Sequence, residues 1–110
     1  MPLTRSFKDT VKARAERDPE FRFGLFREAV EALLSNDLET GKVLLRDYVN
    51  ATLGFEALAA ELDKSPKSLM RMLSRKGNPR ADNLLVMVGH LGKREGAALS
   101  VTKSADGLHA

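Results

Sequence analysis

The sequence of 110 residues contains no cysteine. It can therefore form no disulfide, no thiolate nucleophile and no cysteine-based metal site. Long hydrophobic runs are missing too, since no stretch approaches the roughly 20 apolar residues that span a bilayer. Residues 1–18 also lack the continuous apolar core of a secretory signal peptide. From these absences we expect a cytoplasmic protein that does not enter a membrane.

Histidine is scarce, and no group of residues has a catalytic arrangement. The two histidines are His90, within a helical pattern, and His109, near the C-terminus. No glycine-rich phosphate loop follows a strand, and no His/Glu pair has the spacing of a metal site. The scattered carboxylates stand at helix starts, where they cap helices. We expect no enzymatic activity, no cofactor and no metal ion.

Positive charge is concentrated in one part of the chain. Residues 64–80, here called the basic segment, hold six Lys or Arg residues and no carboxylate, whereas the whole chain carries only +3. Since the basic segment holds +6, the remaining residues sum to −3. The sequence pI of about 9.4 permits a nucleic-acid partner, and the local excess predicts a patch rather than a uniformly basic surface.

The hydrophobic spacing predicts an all-α fold of six short helices, with a short C-terminal strand. Asp18-Pro19, Asp37 and Ser65-Pro66 are start signals for the second, third and fifth helices. A length of 110 residues fits one domain, 1–110. We divide it into N-terminal helices at 4–53, a helix-turn-helix core at 54–92, a candidate dimerisation strand at 97–103 and a tail at 104–110.

The fourth and fifth helices are predicted to form a helix-turn-helix. The connection at Asp63-Lys64 is too short to form anything but a tight turn. Across it, the inward residues of the fourth helix face those of the fifth. They are Leu58, Ala59 and Leu62 on the fourth helix, and Leu69, Met72 and Leu73 on the fifth. Basic runs on short helices are usually solvated faces, but the cap, the turn and the inward pattern together favour a double-stranded DNA partner. The candidate DNA-binding residues are Ser65, Lys67, Ser68, Arg71, Arg75, Lys76 and Asn78.

These residues carry a resemblance to a known family. The segment from Gly54 to Leu91 resembles the helix-turn-helix of phage-repressor-type regulators, and among them the addiction-module antidote proteins, the antitoxins of bacterial toxin–antitoxin pairs. The resemblance covers about residues 18–103. The matching motifs are Asp18-Pro19-Glu20-Phe21, Leu45-Arg46-Asp47, Gly54-Phe55, Leu58-Ala59, Ser65-x-x-Ser68-Leu69, Leu73, Gly77-Asn78-Pro79, Leu84-Leu85 and Leu99-Ser100-Val101.

The resemblance implies a homodimer that binds a palindromic operator, represses its own operon and neutralises a small toxin protein. By position it implies base reading by Lys67, Ser68 and Arg71, with Ser65 at the helix start. Three positions depart from the family pattern. They are Asp63 where glycine is common, Lys64 where an apolar residue is usual, and Phe55 where many phage-type repressors have a phosphate-binding glutamine.

Two other functions remain open from the sequence. One is a prophage-type transcriptional regulator with no toxin partner. The other is a protein-binding module whose DNA affinity is incidental, for which Phe23 is the best interface residue because it lies off the main apolar stripe of its helix. The C-terminal strand has no mate in the chain, so we expect it to pair with its copy in a dimer.

Overall fold

The computed structural model describes residues 5–104, and it confirms the predicted all-α architecture. Residues 1–4 and 105–110 lie outside the described part, so the predicted tail is described only at Ser104. The six predicted helices are all present. They are α1 (Arg5–Arg17), α2 (Pro19–Leu34), α3 (Leu38–Ala51), α4 (Gly54–Leu62), α5 (Pro66–Met72) and α6 (Ala81–Glu95).

Two predicted N-caps stand at the beginnings of α2 and α3, the two helices that pack against each other most extensively. The Asp18 carboxylate accepts a hydrogen bond from the Phe21 N–H at 3.1 Å, and Asp37 accepts one from the Thr40 N–H at 3.2 Å. Each cap satisfies a backbone donor that the first turn of a helix otherwise leaves unpaired. The short connection at residues 35–37 brings α2 and α3 side by side.

The core lies between these two helices and the three that follow. The rings of Phe26 and Tyr48 meet at 5.6 Å between centroids, and Leu45 is fully buried beside them. Helices α4, α5 and α6 close the core from the other side. Their largest fully buried side chains are Leu58, Leu69, Leu73, Met87 and Leu91.

A buried carboxylate ties the end of α6 to α2 and α3. The side chain of Glu95 is only 4% exposed, and its Oε2 accepts a hydrogen bond from Arg22 Nε at 2.8 Å and another from the Tyr48 hydroxyl. Burial and the hydrogen bond to Glu95 both raise the pKa of the Tyr48 phenol. A charge this deeply buried is tolerated because it is paired and hydrogen-bonded.

The predicted C-terminal strand at 97–103 is wrong. Residues 97–104 have no regular secondary structure, and no strand occurs anywhere in the described range 5–104. A strand is stable only where a second strand forms hydrogen bonds with its backbone, and residues 5–104 contain no second strand. The segment leaves α6 at Gly96 and passes beside α2. Its alternating apolar residues therefore do not indicate β-structure in this chain.

No helix within residues 5–104 is long and apolar enough to cross a membrane.

An exposed ion-pair cluster joins α4 to α6. Glu61 accepts hydrogen bonds from Arg94 Nη1 at 3.0 Å and 3.3 Å, and its other close neighbour is His90 Nε2. The hydrogen bond with His90, together with the charge of Arg94, holds the pKa of the Glu61 carboxyl below its ordinary value of 4.5. A lowered carboxyl pKa means that the folded state prefers the ionised form.

The stability that Glu61 contributes is therefore present above its unfolded pKa and is lost as the pH falls through its folded pKa. We expect Glu61→Gln to be less stable than the wild type at about pH 7, and the difference to close at about pH 3. Urea unfolding across this range measures it. Glu56→Gln, on the same helix and without an ion pair to a described residue, is the control. A difference that does not change with pH would contradict the assignment.

Candidate nucleic-acid interface

A three-residue turn sets the angle between α4 and α5. Asp63, which stands where glycine is common in the family pattern, adopts the left-handed conformation (φ 55°, ψ 48°). Aspartate tolerates this conformation better than most residues do. The Lys64 N–H then donates to the Ala59 carbonyl at 2.9 Å, which closes the end of α4. Lys64 is exposed, so it takes no part in the core.

Ser65 caps the N-terminus of α5 through hydrogen bonds with Ser68. The Ser65 hydroxyl oxygen accepts a hydrogen bond from the Ser68 N–H at 3.1 Å and donates to the Ser68 hydroxyl at 2.9 Å. Pro66 follows as the first helical residue. These bonds fix both serine side chains at the exposed start of the helix.

Helix α5 has one buried face and one exposed face. Leu69 is fully buried and Leu73, at its C-cap, is as well; both pack in the core with Leu58 and Ala59, as the sequence predicted. The opposite side, here called the α5 face, consists of exposed residues. They are Lys67, Ser68, Met70 and Arg71. Met70 is 47% exposed and was not among the sequence-based candidates.

The structure brings five of the seven candidate DNA-binding residues to one concavity of about 670 Å³. These five are Ser65, Ser68, Arg71, Lys76 and Asn78. Lys67 and Arg75 do not line the concavity, although both are exposed nearby in the chain. Lys64 and Ser74 of the basic segment also line the concavity, and so does Asn83 of α6, which sequence reasoning missed.

The concavity is basic and its cations are unpaired. Lys64, Arg71 and Lys76 line it, and no carboxylate does. Within the described part of the chain, the only ion pair of the basic segment is Arg80 with Asp82, at 3.4 Å. Cations that are left without internal partners attract an external anion, and the phosphates of a nucleic acid are such anions.

A buried lysine holds the loop that follows α5. Lys42, on α3, is 5% exposed, and its Nζ donates to the carbonyl oxygens of Ser74 (2.9 Å), Arg75 (3.3 Å) and Gly77 (2.6 Å). Arg46, one turn later on α3, donates from Nη1 to the Leu73 carbonyl at 3.2 Å. These four carbonyls belong to the C-cap of α5 and to the loop beyond it, and a cation close to a helix C-terminus is favourable.

The hydrogen bonds from Lys42 and Arg46 to the end of α5 and the loop after it are here called the clamp. Two glycines allow close approaches of the backbone around it. A Cβ at Gly77 would lie 2.0 Å from the Arg71 carbonyl oxygen, so the loop packs directly on the last turn of α5. A Cβ at Gly41 would lie 2.4 Å from Leu33 Cδ2, so α3 approaches α2 closely just before Lys42. Only glycine fits either position without a shift of its neighbours.

Sequence reasoning missed Lys42, although the sequence carries a signal for it. Lys42, Leu45 and Val49 follow each other at helical spacing, and the last two belong to the inward stripe of α3. A lysine at an inward position needs acceptors for its ammonium group, because its burial is otherwise costly. Which carbonyls supply them depends on contacts more than 30 positions away in the chain.

Between residues 5 and 104 no three His, Asp or Glu side chains come together as a metal site could require. His90 is half-buried and engaged with Glu61. His109 lies outside the described residues.

No protein-family model matches the chain, and neither a curated protein nor a solved structure shows significant similarity to it.

The clamp predicts a large effect from one buried substitution. Lys42→Met keeps an unbranched side chain of similar length but removes the ammonium donor from all three carbonyls. We expect the free energy of unfolding to fall by about 1.5–3 kcal/mol, the usual size for hydrogen bonds to a charged group. Thermal or urea unfolding measures this. Lys12→Met, at an exposed position of α1, is the control, and equal stability of the two variants would refute the clamp.

Proposed function

We propose that this protein is a sequence-specific double-stranded DNA-binding repressor, and that it acts as the antitoxin of a bacterial toxin–antitoxin pair. The observation that carries the DNA-binding part is the α5 face beside a basic concavity without a carboxylate. The antitoxin part is supported by the resemblance of about residues 18–103 to addiction-module antidote proteins. Autoregulation of its operon and neutralisation of a toxin follow from that resemblance.

In this proposal α5 enters the major groove and its exposed side chains read base edges. Arg71 suits the two acceptors of guanine, and Lys67 and Ser68 are further base-edge donors. Met70 offers an apolar, flexible side chain between them, and the apolar group that DNA presents in the major groove is the thymine methyl. We therefore add Met70 to the base-reading residues.

The loop after α5 has the complementary role of holding the DNA backbone. Arg75, Lys76 and Asn78 follow the helix in the loop that Lys42 clamps, and all three are exposed. Phosphate contacts fix register and orientation but carry no sequence information. A fixed loop loses less conformational entropy when it binds, so the clamp favours affinity.

A homodimer is part of the proposal. Helix α5 has only seven residues and is about 10 Å long. One helix of this length reaches few base pairs, whereas a two-fold pair reads two half-sites and doubles the discrimination.

The DNA-binding proposal predicts different effects for two arginines. On a sequence selected from random DNA, Arg71→Ala should lose about 1–3 kcal/mol of specific binding, because a base contact disappears. Arg75→Ala should weaken selected and random DNA alike and flatten the salt dependence. Titrations at two salt concentrations, with random competitor, measure both. Arg17→Ala, an exposed position on α1, is the control.

Failure to select any sequence, or binding that random competitor removes completely, would refute specific recognition. Equal losses on specific and random DNA for Arg71→Ala would remove this residue from the base-reading set.

The role of Met70 predicts a loss that depends on single methyl groups. Replacing one thymine of the selected site by uracil removes only the 5-methyl group. For the wild type we expect one such replacement to weaken binding severalfold, because an apolar contact is lost. For Met70→Ala the same replacement should have no effect. A uracil scan in which wild type and variant respond alike would show that Met70 reads no thymine.

A further inference from the structure

Helix α2 has an outer stripe whose charges lack partners. Phe23, Arg27, Glu31 and Leu34 follow each other at spacings of four, four and three, so they lie on one side of the helix. All four are exposed, and Leu34 reaches 77%. Neither Arg27 nor Glu31 forms an ion pair with any residue of the described range. We call these four residues the α2 face.

A mainly apolar groove of about 350 Å³ is lined by all four residues of the α2 face. Phe26 and Val30 of α2 form its floor, and residues 97–101 form its far wall. Leu99 and Val101 of that wall are 57% and 95% exposed. The groove and the ends of the α2 face together make a continuous apolar surface with two opposite charges near its middle. Exposed apolar surfaces of this kind mark sites of interaction.

We propose that the α2 face is the surface through which two copies of this chain associate, with their α2 helices antiparallel across a two-fold axis. The order of its residues is apolar, positive, negative, apolar, which is complementary to itself when reversed. Setting Arg27 opposite the partner subunit's Glu31 brings Phe23 within one helical position of the partner subunit's Leu34. The pairing of Arg27 with the partner subunit's Glu31 and that of Phe23 with the partner subunit's Leu34 are centred at nearly the same level of α2, that of Ala29.

A two-fold axis then repeats each contact. The interface has two Arg–Glu pairs in the middle and a Phe–Leu contact at either end, which is the isologous pattern of symmetric dimers. A parallel arrangement would place Arg27 against its own copy and Glu31 against its own copy. Like charges in contact are unfavourable, so the charges select the antiparallel orientation. Apolar area supplies the affinity, and residues 97–101 of each copy extend it.

This inference rests on the homodimer in the proposed function and specifies its surface. The α2 face shares no residue with the basic concavity. Self-association can therefore be measured without DNA, and a failure of one proposal is distinguishable from a failure of the other.

The experiment uses charge reversal on the full chain and measures molar mass and dimer dissociation by sedimentation. The wild type should be a dimer at micromolar concentration. Arg27→Glu puts glutamate opposite glutamate twice, and Glu31→Arg puts arginine opposite arginine twice, so each alone should dissociate at least about tenfold more readily. An equimolar mixture of the two variants should dimerise again, because every cross-subunit pair in the heterodimer is opposite in charge.

Both positions are exposed, so the variants should keep the helical circular dichroism of the wild type. Glu16→Arg makes the same change of charge as Glu31→Arg, but at an exposed position of α1, and should leave the dimer intact. A monomeric wild type at all concentrations would overturn the proposal. So would a dimer that both single variants leave unchanged, or two monomeric variants that fail to associate on mixing.

Discussion

The ammonium group of Lys42 among three backbone carbonyls is the interaction on which the candidate interface depends. It connects α3, the central helix of the core, to the loop that carries Arg75 and Lys76. Without a cation at this point, carbonyl oxygens of the loop after α5 would lose a donor in a part-buried region, which is costly. The same positive charge holds the loop against α3, while Arg75 and Lys76 stay exposed. The core and the binding surface are therefore coupled through one side chain.

Most of the architecture could be predicted because its signals are local. Asp18, Asp37 and Ser65 each cap the helix that follows through a bond to the third residue on, so the sequence around them is sufficient. The strand at 97–103 could not be judged in the same way, since pairing depends on a partner elsewhere. Lys42 was missed for a similar reason, because its acceptors lie far along the chain.

For the candidate site, the charged and hydroxyl residues were predictable, but their grouping was not. The concavity collects Ser65, Arg71 and Lys76, whereas Lys67 and Arg75 stay outside it. Which cations converge depends on the path of the loop after α5, and that path is set by Gly77 against the helix end. Asn83 joins from α6, which no spacing within the basic segment could indicate.

The division of α5 into a buried and an exposed face separates two kinds of variation. Leu69, at the buried face, is confined by its neighbours on every side, so changes there are paid in stability. Lys67, Met70 and Arg71 are exposed in the free protein, and surface exchanges usually alter stability by less than about 0.5 kcal/mol. Recognition can thus diverge between descendants of this chain, or be redesigned, while the scaffold beneath it stays the same.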